Sequence, residues 1–345
     1  MLRSTLVSLL LAATPPLLFA QNISGLLTLD DSDGANVIDV TLTVGSGIFS
    51  RTESDSTTAS GTILLGGEAS ADTGEIFSLN FEGGDLAFTD MDFDFGFGQT
   101  ARTRNVEGFP FTPNPPATAS TEGEFDAALH ALTFDQGTLS SSGLISQSSD
   151  LSEDPVTFTP LEQEMNFGQV TLSDPVVSLN ATSYTGSLRL PVEGSSGIED
   201  ESGDEIGQVE VSGEITASGP VRIYRNAFTR WAVEGGIVDL DTAPSFTADF
   251  NNDGLPNGLA WALGLDSDET LDEPLFQVNA DRSVTVTLPS SDLRSEVTIH
   301  AAHSPEGLAS TVPARSVNRF DLVTQITIPA TSDTRRFFLM QALEE

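Results

Sequence analysis

The chain has 345 residues, and its 51 acidic side chains face 14 basic ones, all arginine, for a formal net charge of −37. Such a surface offers no basic patch to nucleic acid or an anionic membrane, and the absence of lysine removes Schiff-base and P-loop chemistry. The absence of cysteine removes disulfides, thiolate metal sites and cysteine nucleophiles, while the 38% of hydrophobic residues still suffice for a core spread over about two or three domains.

Residues 1–20 set Arg3 ahead of the apolar run Leu6–Ala13 and end on small Ala20 before Gln21, the order of a secretory signal. Pro15 and Pro16 stop the run short of the ~20 residues needed to span a bilayer. The expectation is an exported protein, extracellular or at the cell surface, with no membrane span in the mature chain. The sequons at Asn22 and Asn180 read as chance.

From 21 to 222 the dominant signal is two-residue alternation, interrupted by Gly, Ser, Asp and Pro. Asp30, Asp31, Asp33 and Gly34 read as a hairpin-like turn ahead of a strand in which Ile38, Val40, Leu42 and Val44 share one face. Met91, Phe93, Phe95 and Phe97 alternate in the same way with Asp92, Asp94 and Gly96. Further strands are expected at Gly61–Leu65, Ile76–Phe81, Ala131–Phe134, Val156–Phe158, Gln169–Leu172, Ser187–Leu190 and Gln208–Ile215. The proline-rich stretch Thr100–Glu122 and the Gly, Ser and acid-rich stretch Val192–Glu205 read as long loops. The fold class is mainly β: a large antiparallel domain, whether sandwich, jelly roll or barrel.

At residue 223 the texture changes. Asn226 is placed to cap a helix carrying Phe228, Trp231 and Ala232 that Gly235 and Gly236 end; Pro256 opens a second helix with Leu259, Trp261 and Leu263, stopped by Gly264. Both tryptophans read as core anchors. From 274 to 345 alternation returns at Val284–Leu288, Val297–Ile299, Leu322–Ile328 and Arg336–Met340, predicting a small C-terminal β-sandwich. The segment 223–273 is thus a helical linker between two β regions.

That linker holds the one motif with chemistry in it. Asp249, Asn251, Asp253 and Asn257 fall at positions 1, 3, 5 and 9 of a loop whose sixth residue is Gly254, while Leu255 offers its carbonyl. The expected ligand is calcium. Position 12, where a bidentate carboxylate belongs, is Ala260, so the alternative is an Asx-rich turn that caps the second helix without an ion.

The segment Phe228–Gly264, together with Arg336-Phe337-Phe338-Leu339, resembles the C-terminal part of exported multidomain proteins of Verrucomicrobia and related bacteria. In those a Phe-x-x-Trp helix, a dockerin-like or thrombospondin type 3-like calcium loop and a small β domain follow one another. The resemblance implies a bacterial secreted or surface protein, brings no reaction with it, and leaves residues 21 to 222 unaccounted for.

Catalytic readings are weak. His300 and His303 lie on an expected strand with no third metal ligand, the Gly194–Gly197 loop is no nucleophile elbow, and Glu162 with Glu164 is one acidic pair among many. The leading expectation is a non-catalytic structural or adhesion protein whose calcium loop stiffens the joint between domains, with a surface glycan or matrix protein as partner. The alternative is a carbohydrate-binding module or glycan-active enzyme using Phe93, Phe95, Phe97, Tyr184 or the Phe109–Phe111 loop for stacking. An adaptation of the acidic surface to high salt is compatible with either.

Overall fold

The computed structural model describes residues 21–32, 34–45, 50–112, 117–120, 122–143, 147–153, 155–158, 167–199, 205–269, 276–278, 284–288, 297–302, 316–320, 323–328 and 337–342. The leader at 1–20, the Glu162–Glu164 pair and His303 lie outside them. The protein is mainly β, and its described residues divide into two compact units: those up to Leu172 with those of Gly186–Val221, and Ser173–Thr185 with those from Arg222 onward.

The first fourteen strands are β1 (Gln21–Leu29), β2 (Val37–Val44), β3 (Arg51–Ala69), β4 (Ile76–Phe88), β5 (Met91–Gly96), β6 (Gln99–Phe111), β7 (Ala117–Thr118), β8 (Glu124–Asp126), β9 (Ala131–Ser142), β10 (Gln147–Asp150), β11 (Val156–Phe158), β12 (Phe167–Val177), β13 (Ala181–Glu199) and β14 (Glu205–Tyr224). They form one sheet in the order β10-β9-β6-β4-β3-β1-β14-β13-β12-β8, with β2 beside β3 and β14, β5 beside β6, β7 beside β4 and β11 beside β9.

At one end of unit 1 the sheet closes on itself. β7 pairs with β4 through Thr118 and Ser78, Ala119 bridges Phe125 of β8, and β8 pairs with β12. The ring β4-β3-β1-β14-β13-β12-β8 therefore has no free edge at this end, a protected arrangement for antiparallel strands. Its interior is closely packed apart from a void of about 30 Å³ beside Ile63 and His130: Ile23, Leu27, Ile63 and Leu79 are 0% exposed, with Leu65 and Phe125 at 1%. Full burial of such side chains contributes about 1.5–3 kcal/mol each.

No hairpin separates β1 from β2. Both run antiparallel to β3, β1 against Thr62–Ala69 and β2 against Arg51–Thr58, so they are successive halves of one line. The turn at 30–36 is a break in that line, and Asn36 (φ 54°, 3% exposed) holds it. Its Nδ2 donates to Asp30 O at 2.7 Å, its carbonyl accepts from Ala59 N at 2.9 Å, and its Oδ1 accepts from Thr216 N at 2.6 Å.

The two expected long loops are largely strand. Gln99–Phe111 is β6, paired through Pro110 and Leu132 with β9, and β13 continues to Glu199 before β14 begins at Glu205. Composition argued for loops, yet partner strands decide β structure more than intrinsic preference does. The alternation at Met91–Phe97 also ends one residue early. Gly96, Phe97 and Gly98 all take positive φ (75°, 55° and 79°) as β5 turns into β6, which leaves Phe97 93% exposed.

In unit 2, α1 (Ala227–Glu234) begins where Asn226 Oδ1 accepts from Thr229 N at 2.8 Å, and α2 (Asn257–Ala262) ends ahead of Gly264 at φ 83°. Phe228 stacks on Trp231 and meets Phe246 and Trp261 edge-on at 5.0 and 5.7 Å, and Trp231 Nε1 donates to Leu265 O at 2.9 Å. Both tryptophans are core anchors. Asn180 is buried here as well, donating from Nδ2 to Asp239 O and Thr242 O at 2.8 and 2.7 Å. The remaining strands are β15 (Phe276–Val278), β16 (Val284–Leu288), β17 (Val297–Ala302), β18 (Ser316–Phe320), β19 (Val323–Ile328) and β20 (Phe337–Ala342). They make an antiparallel sheet β15-β16-β19-β18 and a separate pair β17-β20, in which His300 lies opposite Leu339.

Candidate functional site

Beyond the closed ring, unit 1 is hollow. A cavity of about 950 Å³ lies between a wall of β2 and β14 and a wall of β5, β6 and β9. The alternation of β2 sends Ile38, Val40, Leu42 and Val44 into it while Asp39 stays exposed. From across the cavity come Phe93 and Phe95, only 4% and 5% exposed, with Asp92 and Asp94 turned to water. Phe93 and Phe95 therefore line an interior, and Tyr184, 8% exposed, is buried too, so these rings do not make an exposed stacking platform.

The cavity has a floor and a mouth. Ile38, Phe88, Val106 and Leu132 are between 3% and 9% exposed, whereas Leu42, Val44 and Val209 are half-buried. The mouth is the end where Val44 lies opposite both Arg51 and Gly207, and Thr100 opposite Ser142. Polar groups gather there: Thr100 Oγ1 and Ser142 Oγ share a hydrogen bond at 2.8 Å, and Gln99 and Ser141 also line the rim.

Arg51 is the charged group of the mouth that stands without a carboxylate among the described residues. Its Nη1 donates to Phe95 O at 2.7 Å, and its guanidinium carbon sits 4.7 Å from the centre of the Phe97 ring. By contrast Arg102 and Arg104 both pair with Asp92, at 3.0 and 2.6 Å, and Arg104 also reaches Asp90 at 3.6 Å. Among the described residues no carboxylate pairs with Arg51, and the cavity lining contains no Asp, Glu or His.

The acidic loop of unit 2 is a tight Asx turn. Asp249 Oδ2 accepts from Gly254 N at 2.9 Å, Asn251 Oδ1 from Asp253 N at 3.3 Å, and Asp253 Oδ1 from Leu255 N at 2.7 Å. Asn257, 4% exposed, accepts from Phe250 N at 3.0 Å and donates to Ser245 O at 3.1 Å, so its amide is committed to the loop's own backbone. Ala260 is buried at 7%. Among the described residues no group of three or more His, Cys, Asp or Glu gathers to hold a metal. One atom fits a cation nonetheless: Asp249 Oδ1 is buried and has no hydrogen-bond partner, and a lone carboxylate oxygen held dry is costly unless something positive meets it.

A third polar site is His130, 3% exposed between Phe81 and Phe125 at 4.6 and 5.0 Å. Its Nδ1 meets Thr112 Oγ1 at 2.6 Å, and Nε2 has no partner. Burial lowers its pKa to about 4, only partly opposed by Asp126.

The expected ligand residues of unit 2 fall together in one loop, as their spacing requires. The cavity was missed, because an alternating apolar face reads identically whether packed side chains or empty space stand opposite. No helix among the described residues is long and apolar enough to cross a membrane. No family model, no curated protein and no solved structure matches this chain.

Proposed function

We propose that this chain is an exported, non-catalytic binding protein whose unit 1 holds a small apolar molecule inside its sheet. The observation that carries the reading is the 950 Å³ cavity itself, near the upper end of the ~300–1,000 Å³ common for small-molecule sites and walled by valine, leucine, isoleucine and phenylalanine. Among the described residues the lining has no Asp, Glu or His to serve as general acid or base, which favours carriage over conversion. The test is titration of the full chain with the neutral dye Nile red beside the double variant Leu42→Trp/Val209→Trp, which narrows the cavity from β2 and β14. Saturable emission enhancement in the parent, lost in a variant of unchanged circular dichroism, supports the reading; no enhancement in the parent overturns it.

A second reading is favoured by the unpartnered Asp249 Oδ1: the loop takes up calcium, with Asp249, Asn251 and Asp253 as side-chain donors, the Leu255 carbonyl beside them, and Asn257 reaching the ion through water. Calorimetry in calcium and in EDTA tests it. A higher melting temperature in calcium that Asp249→Asn abolishes is the expected result; identical melting removes the metal. Diffuse binding to the acidic surface survives that substitution and is thereby distinguished.

A further inference from the structure

The geometry points to a long-chain carboxylate as the molecule in the unit 1 cavity, its chain among the apolar walls and its head at Arg51. This rests on the cavity reading above and adds the chemistry of the head group.

A site that took a pure hydrocarbon would have no use for a held charge at its rim. Arg51 is held twice, by the hydrogen bond from Nη1 to Phe95 O at 2.7 Å and by the Phe97 ring at 4.7 Å. Neither contact neutralises it. Of the guanidinium's five N–H donors, the backbone bond takes one, leaving the fork that suits a carboxylate. In a chain with 51 acidic residues, neighbouring arginines are satisfied by Asp90 and Asp92, so an arginine at the mouth of an apolar cavity with no such partner among the described residues stands out.

The division along the cavity matches an amphiphile. Depth is mainly apolar, from Val40 to Phe93 and Phe95, and its hydroxyls at Thr57 and Thr103 are taken up by Thr89 O and Met91 N, whereas Gln99, Thr100 and Ser142 gather toward the rim. The net charge of −37 repels an anion at long range, but that repulsion is screened over about 8 Å at physiological ionic strength, whereas Arg51 acts at contact.

The experiment is displacement of Nile red from the full chain by dodecanoate and by dodecan-1-ol, repeated with Arg51→Gln and Arg51→Lys. Dodecanoate is expected to bind about 10- to 100-fold more tightly than the alcohol, as a charge-assisted hydrogen bond provides. Arg51→Gln is expected to erase that preference by weakening dodecanoate more than the alcohol, and Arg51→Lys to restore part of it. Across saturated carboxylates each added methylene is expected to tighten binding about three- to fourfold until the cavity is filled. Equal binding of acid and alcohol, or a preference that survives Arg51→Gln, overturns the head-group assignment while the cavity reading stands. Failure of Nile red to bind the parent chain overturns both.

Discussion

Thr216 donates its backbone N–H to Oδ1 of Asn36 across 2.6 Å, joining residues 180 positions apart in the chain. Asp30 N donates to Thr216 O at 3.0 Å in return, so the break between β1 and β2 is sewn to β14 on one side, and through Ala59 to β3 on the other. The buried amide of Asn36 thus ties the break to β14, and its main-chain carbonyl ties it to β3. Asparagine suits the post because it tolerates φ 54° and offers both a donor and an acceptor.

Asn36→Ala is expected to lower the stability of unit 1 by about 3 kcal/mol, the sum of buried groups left unpaired and a Cβ held at positive φ. Asn36→Gly, free of the backbone strain, is expected to lose roughly 1 kcal/mol less. Urea unfolding followed by far-ultraviolet circular dichroism checks both; a loss below measurement in both variants refutes the role given to this side chain.

Acid sensitivity is expected from His130. Its folded pKa of about 4 lies below the ordinary 6.5, so the native state favours the neutral ring. The stability this contributes is complete above pH 6.5 and is lost as pH falls toward 4, to a limit of roughly 3 kcal/mol. Melting temperature measured from pH 7 to 4 should fall more steeply for the parent than for His130→Gln, and parallel curves would refute the claim.

Tryptophan emission reports unit 2, since Trp231 and Trp261 both lie there. Asn226→Ala removes the hydrogen bond that caps α1 and is expected to cost about 1 kcal/mol in unfolding followed at these residues. Gly258→Ala is expected to cost more, because its Cβ would lie 2.2 Å from the Phe246 ring beside Phe228 and Trp261. Equal transitions in the two variants and the parent would contradict the packing described.

Much of this was legible in advance. The alternations of Ile38–Val44 and Met91–Phe95 announce strands with one dry face, and Asn226, Pro256 and Gly264 mark two helices because capping is local chemistry. What escaped depends on distant partners. β6 hides in a proline-bearing stretch because β9 supplies its pairing, and the turn at 30–36 gives no sign that the chain goes straight on. Arg51 looks like any arginine at a strand start until β5 brings Phe95 and Phe97 to it. The loop at 249–257 stays ambiguous in sequence because an Asx turn and a cation cradle draw on the same oxygens.

The closed ring also bears on how this protein can change. The fully buried Ile23, Leu27, Ile63 and Leu79 sit in the closed ring, while the residues that line the large cavity occupy the other end. Chassis and upholstery are separate. Substitutions among Leu42, Val44, Val209 and Val211 therefore reshape the cavity without touching the side chains that fill the ring.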